Sequence, residues 1–169
     1  SSDLGRKTDY NIGGRDDAEC WDSNTPILNE LSQKQPFFQV VNLFESHESR
    51  VHGDVENTIH KPENTTLRDY HPDLPDMRKT YAKYHDAVKR MDSIMGDVLQ
   101  QLEDLGLAEN TIVIYNSDHG GVLARSKRYL FDSGIHCPLI VRIPEKYKHL
   151  RPAKSVGTTV DRIVSFVDM

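Results

Sequence analysis

The longest pattern in the chain is a stripe of apolar side chains at Met77, Tyr81, Tyr84, Val88, Met91, Met95, Val98, Leu102 and Leu105, spaced four and three residues apart in alternation. That spacing puts them on one side of a helix and predicts a single long amphipathic helix over about 76–105. Pro75 and Asp76 suit its first turn, and Gly106 suits its C′ position. At a rise of about 1.5 Å per residue it runs roughly 45 Å, enough to flank a sheet from edge to edge. A coiled coil carries the same spacing, but strands on either side favour a helix that covers a sheet.

Period and composition change around this helix. Residues from Pro36 to Phe44 are aromatic and β-branched and predict a mostly buried strand. Thr111-Ile112-Val113-Ile114 predicts a second buried strand, and Pro138-Leu139-Ile140-Val141-Arg142-Ile143, closed by Pro144, a third. Strand, long helix, strand is a βαβ unit. The expected class is α/β, with a largely parallel sheet flanked by helices. The first 32 residues are polar, with a short candidate helix from Pro26 to Leu31 capped by Thr25. Residues 51–75 form a polar connection of a length that is uncommon unless functional or disordered. Lys154 to Thr159 is a further β-rich piece. Arg162 to Met169 stays apolar to its last residue, which predicts an internal portion of one domain, truncated at both ends.

Composition narrows the partners. A chain of 169 residues can bury one domain's core. A formal charge of −5 with dispersed basic residues argues against nucleic acid as a partner. No apolar run approaches a membrane span. Cys20 and Cys137 make no disulfide framework and lack metal-ligand spacing, and Cys137 reads as a small core residue.

Candidate chemistry gathers where strands end. The second strand runs into Tyr115-Asn116-Ser117-Asp118-His119-Gly120-Gly121, and open α/β sheets bind ligands outside the carboxyl ends of their strands. Asp118 and His119 together suit a divalent cation. Hard oxygen favours calcium or magnesium, and imidazole leans towards zinc or another transition metal. The alternative is a turn in which Asp118 caps the next segment and His119 only hydrogen-bonds. Lys127, in Arg125-Ser126-Lys127-Arg128, is either a solvated basic residue or a charge stabilising a metal-held anion. His47, in Ser46-His47-Glu48-Ser49-Arg50, ends the first strand. With the two strands as neighbours it would donate to the same anion or protonate a leaving oxygen. The remaining histidines (His52, His60, His71, His85, His136 and His149) read as polar residues of loops or of the helix surface. No serine stands in a nucleophile elbow and no cysteine beside a plausible base, so the catalytic set is incomplete.

Taken together, these blocks resemble a known family. Pro36-Phe37-Phe38 through Ser46-His47-Glu48-Ser49-Arg50 is similar to the strand-and-histidine segment of the type I sulfatases, of the alkaline-phosphatase-like superfamily. Asn116-Ser117-Asp118-His119-Gly120-Gly121, Ser126-Lys127-Arg128 and Asp132-Ser133-Gly134-Ile135-His136-Cys137-Pro138-Leu139-Ile140-Val141 resemble that family's second metal motif and the block after it. The helix region from Tyr70-His71-Pro72-Asp73 to Leu107 fits too. Arg162 to Met169 resembles the start of a segment that leads to an Asp-x-x-Pro-Thr helix. The likeness is nearest to bacterial sulfatases of the heparan N-sulfatase type.

The resemblance implies hydrolysis of a sulfate ester or sulfamate on a sulfated carbohydrate. By position, Asp118 and His119 match calcium ligands (calcium rather than magnesium), Lys127 a sulfate-binding cation and His47 a substrate-binding histidine. Lys7, in Lys7-Thr8-Asp9-Tyr10-Asn11, matches the lysine of a Gly-Lys-x-His block, with Asp9 in place of the histidine. The family's nucleophile is a formylglycine made in a Cys/Ser-x-Pro-x-Arg motif. Neither that motif nor the upstream acidic pair is present. His136-Cys137 stands where relatives often have Arg-Val, a change on the substrate side. The expectation is a sulfatase whose nucleophile lies outside this chain, so that the isolated chain is inactive. The remainder of its own polypeptide is an expected partner, and the periplasm, the exterior or the lysosome an expected location. The rivals are a phosphonate or phosphate ester hydrolase of the same superfamily and a non-catalytic remnant that binds sulfated glycan.

Overall fold

A computed structural model describes residues 2–4, 14, 21–23, 28–52, 57–152 and 155–169. In chain order its elements are β1 (Ser2–Leu4), α1 (Leu28–Ser32), β2 (Gln39–Val41), α2 (Glu48–Val51), α3 (Pro75–Asp104), β3 (Val113–Asn116), α4 (Asp132–Ile135) and β4 (Leu139–Arg142).

The long helix is α3, one residue displaced from its predicted bounds. Pro75 occupies its first turn, where a missing N–H costs nothing. At its other end Gly106 has φ +65°, its N–H donates to the Glu103 carbonyl at 2.9 Å, and the Leu107 N–H donates to the Leu102 carbonyl at 2.9 Å. This pair of bonds is a Schellman turn, in which glycine takes a left-handed conformation that side chains disfavour. The turn also brings Leu102 and Leu107 together in a small core with Leu28 and Ala108, flanked by Phe37, Val98, Leu105 and Val113. All nine stripe residues are buried or half-buried, as the spacing predicts.

The connection from β2 to α3 is held down by α3 itself. Asp86, buried on the helix, accepts the Ile59 and His60 N–H groups at 2.8 and 3.0 Å and the His60 Nδ1–H at 2.6 Å. The Tyr81 hydroxyl accepts the Arg68 N–H at 3.1 Å and lies 2.7 Å from His71 Nδ1. His71 Nε2 lies 3.0 Å from the Ala124 carbonyl, which can only accept, so Nε2 carries the proton and Nδ1 takes the tyrosine's. Both lie in the connection, as expected of polar loop residues, but His71 is buried and structural and His60 is anchored to the helix.

The sheet departs from expectation. β1 and β2 pair in parallel, with Asp3 opposite Val40, while β3 and β4 pair antiparallel, with Ile114 opposite Val141. Among the described residues these are two separate two-stranded sheets, so β2, α3 and β3 do not close a hydrogen-bonded βαβ unit. The predicted strand over 36–44 narrows to the three residues of β2. β3 alternates, with Val113 and Tyr115 half-buried and Ile114 exposed, instead of being buried on both sides. β4 leaves Leu139, Ile140 and Val141 exposed because it pairs with β3 alone and no described layer covers it. Cys137, just before β4, is half-buried and outside the core. Residues 155–159 of the predicted β-rich tail form turns and coil, and Lys154 lies outside the described residues. Of the candidate helix from Pro26 to Leu31, residues from Leu28 onward are helical, and Thr25 and Pro26 lie outside the described residues.

Candidate functional site

β2 and β3 share no hydrogen bonds, yet both discharge at their carboxyl ends into one cavity of about 770 Å3. His47 reaches it from the turn after β2, and Asp118 and His119 from the turn after β3. This is the convergence expected of an α/β sheet, achieved by two short sheets set around α3.

His47 stands at the N-terminus of α2, and its Nδ1 accepts the Ser49 N–H at 3.3 Å and lies 2.8 Å from the Ser49 hydroxyl. A backbone N–H only donates, so in the neutral ring the proton sits on Nε2. Ser49 thereby fixes His47 as a hydrogen-bond donor on the cavity wall.

His119 is set the other way round. Its Nδ1 lies 2.6 Å from the Gly120 carbonyl and must carry the proton. The neutral ring's bare Nε2 then faces Asp118 Oδ1 at 3.7 Å. A ring nitrogen and a carboxylate oxygen this close together suit a shared cation. The carboxylate is the hard oxygen that calcium or magnesium takes, the imidazole nitrogen leans towards a transition metal, and the two fill only part of a coordination shell. Among the described residues no three acidic, histidine or cysteine groups converge on a common point, so the remaining donors would come from elsewhere.

The turn is shaped by close backbone approach. The Gly120 N–H donates to the Gly134 carbonyl at 2.9 Å, and a Cβ on Gly120 would collide with the Ser133 carbonyl. A Cβ on Gly134 would collide with the carbonyls of Ser126 and Tyr129. These glycines let the segment after β3 fold back on α4, which no bulkier residue permits.

Lys127 does not line the cavity. Its ammonium, mostly buried, lies 3.3 Å from Glu48 Oε1, which also accepts from the Arg128 guanidinium at 2.8 Å. The hydrogen bond from Arg128 foremost, opposed by burial and then aided by Lys127, holds the Glu48 carboxyl below the usual glutamate range. Glu48 is therefore ionised at neutral pH and no general acid. The turn carrying Lys127 is flanked by two left-handed residues, Arg125 at φ 64° and Arg128 at φ 71°, conformations that cost on the order of 1 kcal/mol each outside glycine. Lys7 lies outside the described residues.

Sequence reasoning missed Glu48, whose position next to His47 was the available signal, and Arg68. Among the described residues Arg68 is the cation on the cavity wall, and it came from the polar connection with no motif around it. Asp132 and His136 also line the cavity, their Oδ1 and Nδ1 3.5 Å apart. Cys137 is no nucleophile: burial, and then the charge of Asp118, push its thiol up and keep it protonated.

Comparison with known proteins bears on this arrangement. A family model described as Sulfatase matches residues 3–169. The chain belongs to the sulfatase family. This sulfatase-family chain is 30% identical to an ulvan-active sulfatase of Formosa agariphila, over 96% of its own length and 32% of the relative's. It is 32% identical to an N-acetylglucosamine-6-O-sulfatase of Bacteroides thetaiotaomicron, over 50% of the chain and 16% of the relative. It is 34% identical to the human N-sulphoglucosamine sulphohydrolase, over 58% of the chain and 18% of the relative. The sulfatase chain thus spans a third or less of the length of these curated relatives. No solved structure matches it significantly.

Proposed function

We propose that this chain contributes part of the site of a calcium-dependent hydrolase of sulfate esters or sulfamates on a sulfated carbohydrate. One observation carries the reading: a histidine held as an Nε2–H donor and an Asp–His pair with Oδ1 and Nε2 3.7 Å apart open onto the same cavity. Family membership and relatives named for action on ulvan and on amino-sugar sulfates support a sulfated carbohydrate as substrate.

Asp118 and His119 would hold calcium, which when bound would supply positive charge to the sulfate oxygens. The Nε2–H of His47 would donate to a sulfate or leaving-group oxygen. Lys127 would add a second positive charge against the anion, with Lys7 a further candidate. On this reading the nucleophile, expected as a formylglycine, and the other calcium donors would come from a part of the protein outside this chain. In a sulfated-glycan hydrolase of this kind, export or a lysosome is the expected location.

The test is turnover of an aryl sulfate, an aryl phosphonate and sulfated oligosaccharides by the full-length protein, with and without a calcium chelator. Sulfate-ester or sulfamate hydrolysis that is lost on chelation and restored by calcium is expected. Preference for the phosphonate, or turnover indifferent to Asp118→Asn and His47→Ala, would overturn the assignment.

A further inference from the structure

The Lys127 ammonium lies outside the lining of the cavity that it would have to serve. It is mostly buried, it does not line that cavity, and its charge is directed at Glu48 Oε1, 3.3 Å away. The same oxygen takes the Arg128 guanidinium at 2.8 Å, so a single carboxylate compensates two cations. Glu48 directly follows His47, whose ring is on the cavity wall, so the three charges sit at its margin. The contact joins the turn after β2 to the turn after β3, 80 residues apart.

We propose that Glu48 is a positioning residue that stands in for the anion: it parks Lys127 outside the cavity, and a sulfate oxygen binds by taking Lys127 over from it. The inference rests on the anion-binding reading of Lys127 given above. The physical reason is exchange. An ammonium already paired to a carboxylate gains little from a second anion, because the first contact must be given up or shared. Arg128 keeps Glu48 compensated when Lys127 leaves, so the transfer strands no charge. The backbone around Lys127 is anchored throughout, since the Lys127 N–H donates to the Gly121 carbonyl at 2.9 Å and the Tyr129 N–H to the Ser126 carbonyl at 3.1 Å. The handover therefore needs only side-chain rotation of Lys127.

The consequence has an unusual sign. Neutralising Glu48 improves anion binding, whereas loss of a merely structural ion pair lowers the melting temperature and weakens binding together. The experiment titrates the full-length protein with inorganic sulfate and measures KM for an aryl sulfate. It compares wild type, Glu48→Gln, Lys127→Met and the double variant, with melting temperatures recorded for each. Glu48→Gln is expected to bind sulfate about five-fold more tightly and to lower KM in proportion, an effect the size of one partly exposed ion pair. The gain disappears in the Lys127→Met background. Glu48→Asp, which withdraws the carboxylate by one methylene, is the second variant and moves in the same direction. Unchanged or weaker sulfate binding in Glu48→Gln, where Lys127→Met does weaken it, overturns the handover and leaves the anion site standing. Sulfate binding indifferent to Lys127→Met overturns the anion-site reading and the handover with it.

Discussion

The buried Asp86 carboxylate and the His60 ring meet at 2.6 Å, 26 residues apart in the chain, and this contact ties the polar connection to the long helix. Burial pushes the Asp86 carboxyl up, but the His60 ring and the His60 and Ile59 N–H groups together bring it below the usual aspartate range. A depressed folded value means that this stabilisation is full above the unfolded aspartate value of about 3.9 and is lost as pH falls through the folded one. Asp86→Ala, which strands two backbone N–H groups, is expected to cost about 2–3 kcal/mol at pH 7. Urea unfolding at pH 7, 5 and 3 checks both statements. The gap between wild type and Asp86→Asn should shrink towards the acid end, and a constant gap would refute the linkage.

The Tyr81 hydroxyl serves Arg68 and His71 at once. Tyr81→Phe keeps the ring and removes both bonds, for an expected loss of about 1–2 kcal/mol. Hydrogen exchange provides the sharper readout. The Arg68 amide should lose protection in Tyr81→Phe while amides in the middle of α3 keep theirs.

Two glycine substitutions should move stability in opposite directions. Gly96 lies exposed within α3 with open space at its Cβ position, so Gly96→Ala should stabilise by about 0.5–1 kcal/mol. Gly134→Ala drives a methyl into two backbone carbonyls and should cost about 3 kcal/mol or more. Thermal melts of both variants test the pair, and equal effects would contradict the backbone packing of the turn.

The Ser49 backbone N–H fixes the tautomer of His47, and the Ser49 hydroxyl, the shorter contact, holds the ring's orientation without touching substrate. Ser49→Ala retains the N–H contact but loses the shorter one. We expect kcat/KM of the full-length protein to fall about three- to ten-fold, with KM nearly constant. Nitrogen-15 NMR of the imidazole should show the Nε2–H form dominant in both proteins, because the backbone donor to Nδ1 is retained. A dominant Nδ1–H form in either protein would count against His47 as a donor into the cavity.

Legibility in the sequence followed the range of the interactions. α3 announced itself because nine residues repeat one spacing, and its end because Gly106 is the residue that a left-handed turn prefers. The placement of His47, Asp118 and His119 was readable because strand ends are local features. Strand pairing was not, since whether Ile114 faces Val141 or a β2 residue depends on contacts far apart in the chain. Asp86, His60 and His71 were equally opaque. A buried carboxylate four residues after the buried Ala82 looks, in the sequence, like any charged residue on a helix flank. Glu48 escaped notice because its partners lie 79 and 80 residues away, and only the folded chain brings two cations to one oxygen.

The bond from His71 to the Ala124 carbonyl gives the tyrosine on α3 a long reach. Ala124 is three residues before Lys127, in the same turn. A screen that scores variants by lost turnover would therefore rank Tyr81 beside the residues of the cavity. Only a parallel melting curve would separate a broken mooring from a broken tool.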